Sequence, residues 1–334
     1  MLILGIDTSC DDTSASVVEN GTHIRSNIIS NQSAIHRKYG GIVPELASRR
    51  HIEMIWPVVD EALSVADISL ANLSGISVCQ GPGLIGSLLV GCSFAKSVCY
   101  SNSIPLIAIN HLEGHIFSSF LEEPRPSFPF IALIVSGGHT CLYRIDGFGR
   151  YRELGRTRDD AAGEAYDKVS KLLGLGYPGG PAIDSLAKEG NPHTINFPRS
   201  YLPDSFDFSF SGLKTAVLNF VKSNHMPHGT EHSALSDIAA SFQASVVDVL
   251  VRKALLAVQK ENVFRIVLSG GVAANSELRK RLKEMCDSKG IKVFIPSVPL
   301  CTDNAAMIAA AGHHHLVAGD IAGLDLNPKA YLPL

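Results

Sequence analysis

Charge is scarce in this sequence. Only 18% of its 334 residues are Asp, Glu, Lys or Arg, and they leave a formal net charge of −3. No basic excess creates a field that draws in nucleic acid, so such a role needs a local patch or a partner. The seven cysteines, Cys10, Cys79, Cys92, Cys99, Cys141, Cys286 and Cys301, are odd in number and never spaced as CxxC. That pattern excludes a zinc ribbon and a disulfide framework. The start of the chain lacks the basic region of a signal peptide and meets an acid at Asp7. The most apolar stretch, 84–98, is broken by Gly86, Gly91 and Lys96 and is too short for a bilayer. It is expected to be a core helix, and a reducing cytoplasm is the expected home. There is no GxxxxGK[ST], no GxGxxG opening the first helix, and no low-complexity tract, which excludes a P-loop protein.

What remains is a globular composition, 46% hydrophobic with 29 Gly and 17 Pro. At roughly 150–200 residues per domain the length points to two domains. The pattern along the chain suggests that they are copies of one another. An apolar run at 2–6, a polar turn from Asp7 to Thr13 and a second run at 14–18 predict strand, turn, strand. The same order returns at 130–135, Ser136-Gly-Gly-His139 and 140–145. The strand 75–79 leads through Gln80-Gly-Pro-Gly83 into a helix, as 265–268 leads through Ser269-Gly-Gly271 into a helix over 272–285. Helical periods are also expected at 45–65, 161–175, 233–259 and 305–315. Loops are expected at 174–181 and 192–208, and a hinge in the Pro-rich stretch 122–129. The architecture expected is a duplicated α/β fold.

His111-Leu-Glu-Gly-His115 is the sharpest local signal. Histidines at i and i+4 share one helix face, with Ser118 and Glu122 continuing the stripe and apolar residues over most of the rest. Two imidazoles one turn apart suit half of a metal site or, more plainly, a pair of surface or capping histidines near the helix start. Asp303 is the best third ligand, although Asp and Asn at 303 and 304 also suit a helix N-cap. His313-His314-His315 diverge by 100° each and are expected at the surface. Glu113, about 200° around the helix from His111, points away from any metal there, which argues against an HExxH-type protease.

The turns at Ser136-Gly-Gly138 and Ser269-Gly-Gly271 follow apolar strands, where backbone N–H groups can cradle phosphate. Asp167 and Asp184 flank the glycine-rich loop and suit either ribose hydroxyls or a solvated helix face. Asn275 suits either a helix cap or a nucleotide contact. Arg49-Arg50-His51, Arg150, Arg152, Arg156, Arg158, Arg199 and Lys214 are the main basic features, each more simply explained as solvated surface charge.

Longer motifs join these residues. They are LGIDTSCDDTS at the start, GGIVPELASRRH at 40–51, GPGLIGSLLVG at 81–91, NHLEGH at 110–115 and IVSGGHT at 134–140. GEAYDKVSKLLGLGYPGGPAID at 163–184, FSFSGLKTAV at 208–217, LSGGVAANSELR at 268–279 and CTDNAAMIA at 301–309 complete them. With these, nearly the whole chain resembles the bacterial TsaD family of tRNA N6-adenosine threonylcarbamoyltransferases, once described as O-sialoglycoprotein endopeptidases. The resemblance implies the actin/Hsp70/sugar-kinase (ASKHA) fold, with two lobes and a nucleotide-binding cleft between them. It sets one lobe at 1–127 plus 304–334, the C-terminal helix returning, and the other at 128–303.

The implied reaction takes the threonylcarbamoyl group from threonylcarbamoyl-AMP to N6 of the adenosine 3′ of the anticodon in tRNAs reading ANN codons. Carried over by motif, His111, His115 and Asp303 would ligate one divalent metal, iron with zinc as the alternative. Ile134, Val135, Ser136, Gly137, Gly138, Asp167, Gly180, Asp184 and Asn275 would bind the adenylate. Asp11 and Asp12 would lie near the reacting group. Archaeal and eukaryotic relatives place a tyrosine ligand where this chain has Ile134, so three protein ligands are expected here. The implied partners are tRNA, a TsaB-like degenerate homologue and a TsaE-like P-loop ATPase. A superfamily ATPase or kinase, a zinc metallopeptidase and a non-catalytic assembly subunit are the competing readings. The histidine pair argues against the first, the direction of Glu113 against the second, and the intact HLEGH and Asp303 against the third.

Overall fold

The computed structural model describes residues 1–223 and 231–334. Two compact units divide the chain, one of Met1–Arg125 with Pro296–Leu334 and one of Pro126–Ile295. The first unit opens with β1 (Leu2–Asp7), β2 (Asp12–Glu19) and β3 (His23–Asn31), an antiparallel meander. There follow α1 (Ser33–Arg37), α2 (Pro44–Val65), β4 (Gly75–Gly81), α3 (Ile85–Asn102), β5 (Leu106–Asn110) and α4 (His111–Phe117). The strands lie in the order β3-β2-β1-β4-β5, with β4 and β5 parallel to β1. Central β1 is apolar almost throughout because both its faces are covered.

The second unit repeats the plan with β6 (Phe130–Val135), β7 (Thr140–Gly147) and β8 (Arg150–Arg156) antiparallel in turn. Helices α5 (Ala162–Leu172), α6 (Gly179–Ala187), α7 (Ser211–Ser223) and α8 (His232–Glu261) precede β9 (Arg265–Ser269), α9 (Ser276–Asp287) and β10 (Lys292–Phe294). Its order, β10-β9-β6-β7-β8, is the first sheet read from the other edge, with β9 parallel to β6 and β10 to β9. The duplication visible in the glycine turns is therefore also one of topology and strand direction. The chain then returns to the first unit through α10 (Val298–Cys301) and α11 (Ala305–Ala318). Helix α11 lies directly on β1: a Cβ added to Gly5 would fall 2.2 Å from the Ala305 carbonyl oxygen.

Several expectations are corrected in detail. Helix α2 buries Ala47, His51, Ile55, Val58 and Ala62, while Ile52 and Trp56, though apolar, are exposed. Helix α3 is likewise half-covered, with Ile85 and Leu89 exposed. Helix α4 stops at Phe117 and tightens into a 3-10 turn over Ser118–Phe120, so the polar stripe does not continue to Glu122, whose carboxylate accepts the Ser297 N–H instead. The loop expected at 174–181 ends early, because Gly179, Gly180 and Pro181 begin α6. The helix expected from Val272 starts with a 3-10 turn and restarts at Ser276. Ahead of α11, α10 forms a single turn. Helix α8 is long and apolar enough to cross a membrane, but 72% of its most apolar window is buried inside the protein.

Candidate functional site

Strand β5 delivers the chain to α4, where Asn110 caps the helix by accepting the Leu112 N–H at 2.9 Å. Every residue of this short helix is buried. His111 and His115 stand one turn apart, ring centroids 4.7 Å from each other at 76°. Asp303 reaches them from the junction of α10 and α11. The alternative role for Asp303, capping α11, is taken by its neighbour: the Asn304 side chain accepts the Met307 N–H. Freed of that duty, Asp303 points Oδ1 at both rings, 3.5 Å from His111 Nε2 and 3.4 Å from His115 Nε2.

These separations exceed the ~2.9 Å of a normal N–H···O bond. Both ring nitrogens of His115 and Nδ1 of His111 are buried without a hydrogen-bond partner among the described residues. Orphaned buried nitrogens of this kind call for an explanation, and a cation is one that removes their cost. The surrounding charge points the same way. Burial raises Asp12 to about 8, with Asp11 and Asp303 adding to the effect, and burial and then Asp303 raise Asp11. Carboxylates that repel one another inside a protein are relieved by a positive ion. For His111, burial lowers the pKa, but Asp303 and Asp7 outweigh it and hold the ring well above its usual value. Burial leaves His115 low. Asp303 is opposed by burial yet drawn well below the usual range by His111 and His115. Two imidazoles and one carboxylate with free positions beside them form the donor set of mononuclear non-haem iron sites, and they fit one divalent metal.

The sequence reading missed residues behind this cluster. Asp7, at the end of β1, is buried, accepts the Ser9 N–H through Oδ1 and lies 3.3 Å from His111 Nδ1 through Oδ2. Cys79 joins Asp7 and His111 in a second close group, its thiol pushed up to about 12 by burial. His51, grouped with a basic patch from sequence, is wholly buried. Its ring meets Thr13 Oγ1 at 2.7 Å and the Cys10 carbonyl at 3.0 Å, pinning the turn that carries Asp11 and Asp12. Its spacing from Ala47, Ile55 and Val58 on α2 would have revealed this. The expected surface tract His313–His315 is half-buried. His315 Nε2 meets Glu113 Oε2 at 3.0 Å, which accounts for Glu113 turning from the histidine pair, and Nδ1 meets Asp320 at 2.7 Å.

In the second unit, Ile134 and Val135 are fully buried at the end of β6, which leads into the turn. Ser136 and His139 close that turn, the Ser136 N–H on the His139 carbonyl and the His139 N–H on Ser136 Oγ. Gly137, Gly138 and Gly180 face open space where a Cβ would stand. Gly270, at φ +93°, lies against the Val135 carbonyl, a place no other residue enters without strain. Asp167 Oδ1 accepts the Gly179 N–H at 2.7 Å, fastening the start of α6 to α5. Asp184 accepts from the Ser276 backbone and hydroxyl. Asn275 caps α9 through Oδ1 on the Leu278 N–H and donates Nδ2 to Gln243 at 2.7 Å. Asp184 and Asn275 thus both meet the start of α9.

The basic features are paired with acids. Arg49 meets Glu45, Arg50 meets Glu53, Arg152 meets Glu261 and Arg156 meets Glu153. Arg158 meets Asp207, Arg199 meets Asp248 and Lys214 meets Asp160. Arg150 donates to the Asp146 carbonyl.

Known proteins resemble this arrangement at two levels. A family model described as TsaD, tRNA N6-adenosine threonylcarbamoyltransferase, matches residues 23–310. Proteins named tRNA N6-adenosine threonylcarbamoyltransferase from Thermodesulfovibrio yellowstonii and Syntrophotalea carbinolica are 61% and 53% identical over 335 aligned residues. The alignments cover 100% of this chain and 100% and 97% of theirs. Among solved structures, full-length HypF in a phosphate- and nucleotide-bound form superimposes with a TM-score of 0.61 at 16% identity, over 96% of this chain and 56% of its own. Component A of the Acidaminococcus fermentans (R)-2-hydroxyglutaryl-CoA dehydratase gives 0.55 at 15%, over 95% and 99%. At such identities the likeness is one of fold, the duplicated actin/Hsp70/sugar-kinase architecture.

Proposed function

The chain belongs to the TsaD family of tRNA N6-adenosine threonylcarbamoyltransferases, and from that footing we propose how its residues serve the reaction. The enzyme is an acyltransferase of tRNA modification. It moves the threonylcarbamoyl group of threonylcarbamoyl-AMP onto N6 of the adenosine 3′ of the anticodon in tRNAs reading ANN codons. The N6 amine forms a bond to the carbamoyl carbon, the bond from that carbon to the phosphate oxygen breaks, AMP leaves, and N6 loses a proton. Because the donor is already activated as a mixed anhydride, the protein's task is to orient two reactants and stabilise a developing oxyanion.

The observation that carries the site assignment is the meeting of His111, His115 and Asp303 around orphaned buried nitrogens. These three would hold one divalent metal, iron(II) ahead of zinc on the chemistry of the donor set. When bound, the metal supplies Lewis acidity toward substrate oxygens. Asp11 and Asp12, on the turn that His51 pins, are the carboxylates available beside it to take the N6 proton. In the second unit, the open Ser136-Gly137-Gly138 turn following Ile134 and Val135, with Gly180, would receive the adenylate. Asp167, Asp184 and Asn275 would join them in binding the adenylate, Asp167 from α5 beside the start of α6 and Asn275 from the start of α9.

The net charge of −3 and the pairing of the candidate basic residues support a tRNA interaction shared with partners. The partners proposed are a TsaB-like degenerate homologue and a TsaE-like P-loop ATPase, acting with the enzyme in the cytoplasm. The test is mass spectrometry of nucleosides from unmodified tRNA incubated with the protein, its partners and threonylcarbamoyl-AMP. Product is expected with wild type and is expected to collapse in His111→Ala and Asp303→Ala. Equal product in the variants would refute the metal assignment.

A further inference from the structure

We propose that Asp7 is the positioning residue of the metal site: its carboxylate takes the Nδ1–H of His111 and so leaves Nε2 as the lone-pair donor beside Asp303. The inference rests on the reading that His111, His115 and Asp303 hold a metal, and it adds a residue outside the HLEGH and Asp303 motifs. Asp7 is 1% exposed at the last position of β1. Its Oδ1 is used, accepting the Ser9 N–H at 2.9 Å, whereas Oδ2 has no hydrogen-bond partner among the described residues. Nδ1 of His111 is equally without one. These two orphaned atoms face each other at 3.3 Å, on the side of the ring opposite the Nε2 that approaches Asp303.

A neutral imidazole carries its proton on either nitrogen, and the partner of one nitrogen decides which. A buried carboxylate at Nδ1 keeps the proton there, aims the ring and strengthens Nε2 as a ligand. Among the described residues no carboxylate pairs with His115 Nδ1, Asp303 meeting its Nε2 instead, so the two histidines are unequal: His111 is braced from β1 and His115 is not. The brace also ties the metal site to the turn that carries Asp11 and Asp12, because Asp7 begins that turn and caps it at Ser9. The same geometry admits a competing reading, a second cation held by Asp7, Cys79 and His111, whose ligand atoms lie within 4.8 Å of one another.

The experiment is a cobalt(II) titration of the full chain, followed by visible absorption and by metal analysis after dialysis, on wild type, Asp7→Asn, His115→Ala and Asp303→Ala. Asp7→Asn keeps the size and the Oδ1 acceptor for Ser9 but presents an NH2 to Nδ1–H. Wild type is expected to take up one cobalt per chain, and Asp7→Asn to bind it roughly 10- to 100-fold more weakly while circular dichroism stays unchanged. His115→Ala and Asp303→Ala are expected to lose the site. Unchanged affinity in folded Asp7→Asn overturns the proposal. Two ions per wild-type chain, one of them lost in Asp7→Asn, overturn it in favour of the second cation. Cobalt uptake unaffected by His115→Ala and Asp303→Ala would instead sink the metal reading itself. Should Asp7→Asn not fold, long-range proton–nitrogen NMR of the zinc-loaded wild type decides: the proposal requires the His111 proton on Nδ1, and a proton on Nε2 overturns it.

Discussion

Replacing Gly5 with alanine probes how closely the returning helix is pressed onto the first sheet. The added Cβ would fall 2.2 Å from the Ala305 carbonyl oxygen, 2.7 Å from the Ala309 nitrogen and 2.9 Å from the Ala309 Cβ. Ordinary contact begins at 3.4 Å, so α11 must withdraw by more than 1 Å. Two of the three atoms are backbone, and no side-chain rotation relieves them. Overpacking of a tight interior costs about 1–3 kcal/mol, and a backbone clash belongs at the upper end of that range. Alanine recovers up to about 1 kcal/mol by restricting the unfolded chain, leaving a net loss of about 2 kcal/mol. A second consequence separates this from a generic core defect. Asp303 lies two residues before Ala305, so withdrawing α11 draws its carboxylate from His111 and His115 and weakens metal binding in parallel. Urea unfolding, with the denaturant slope checked for constancy, and cobalt titration measure the two effects. Gly212→Ala is the control: its Cβ meets open space within α7, and stability should hold or rise by up to about 1 kcal/mol. If Gly5→Ala is as stable as wild type and binds cobalt as tightly, the approach of α11 does not set the site.

Two further outcomes follow from buried polar groups. His315 is raised to about 9, first by its hydrogen bond to Glu113 and also by Asp320, against burial. A raised histidine pKa means that its contribution is complete below about 6.5 and lost as pH climbs through about 9, which amounts to at most roughly 3 kcal/mol. Urea midpoints from pH 6.5 to 9.5 should therefore fall more in wild type than in His315→Gln, and parallel profiles would refute the pairing. Lys253, 3% exposed, donates to the Leu202 and Ser205 carbonyls. Lys253→Met leaves both unsatisfied and is expected to cost about 1–3 kcal/mol and to speed proteolysis within 199–208; an unaltered cleavage rate would count against that role.

Much of the local structure was legible from residues close together in the chain. Apolar runs ending in polar or glycine turns marked β1–β2, β6–β7, β4 and β9, and their recurrence disclosed the duplication. The i, i+4 spacing alone placed His111 and His115 on one face and turned Glu113 to another, because the helical period relates neighbours only. Where that signal was ambiguous, tertiary packing decided. Asp303 and Asn304 are equally suited by type to cap α11; in the fold Asn304 takes the cap and Asp303 faces the histidines. His51 looked like surface charge beside Arg49 and Arg50, until the sheet chose which face of α2 to cover, leaving the apolar Ile52 and Trp56 exposed. Asn275 suits a cap or a nucleotide by type, and only the fold brings its Nδ2 to Gln243 while its Oδ1 caps α9. The sequence by itself settled the elements, their repetition and the family. The grouping of Asp7, His111 and Asp303 came from the strand order that sets β4 between β1 and β5, and from the return of α11 to β1. Those contacts join residues far apart in the chain, and no local periodicity encodes them.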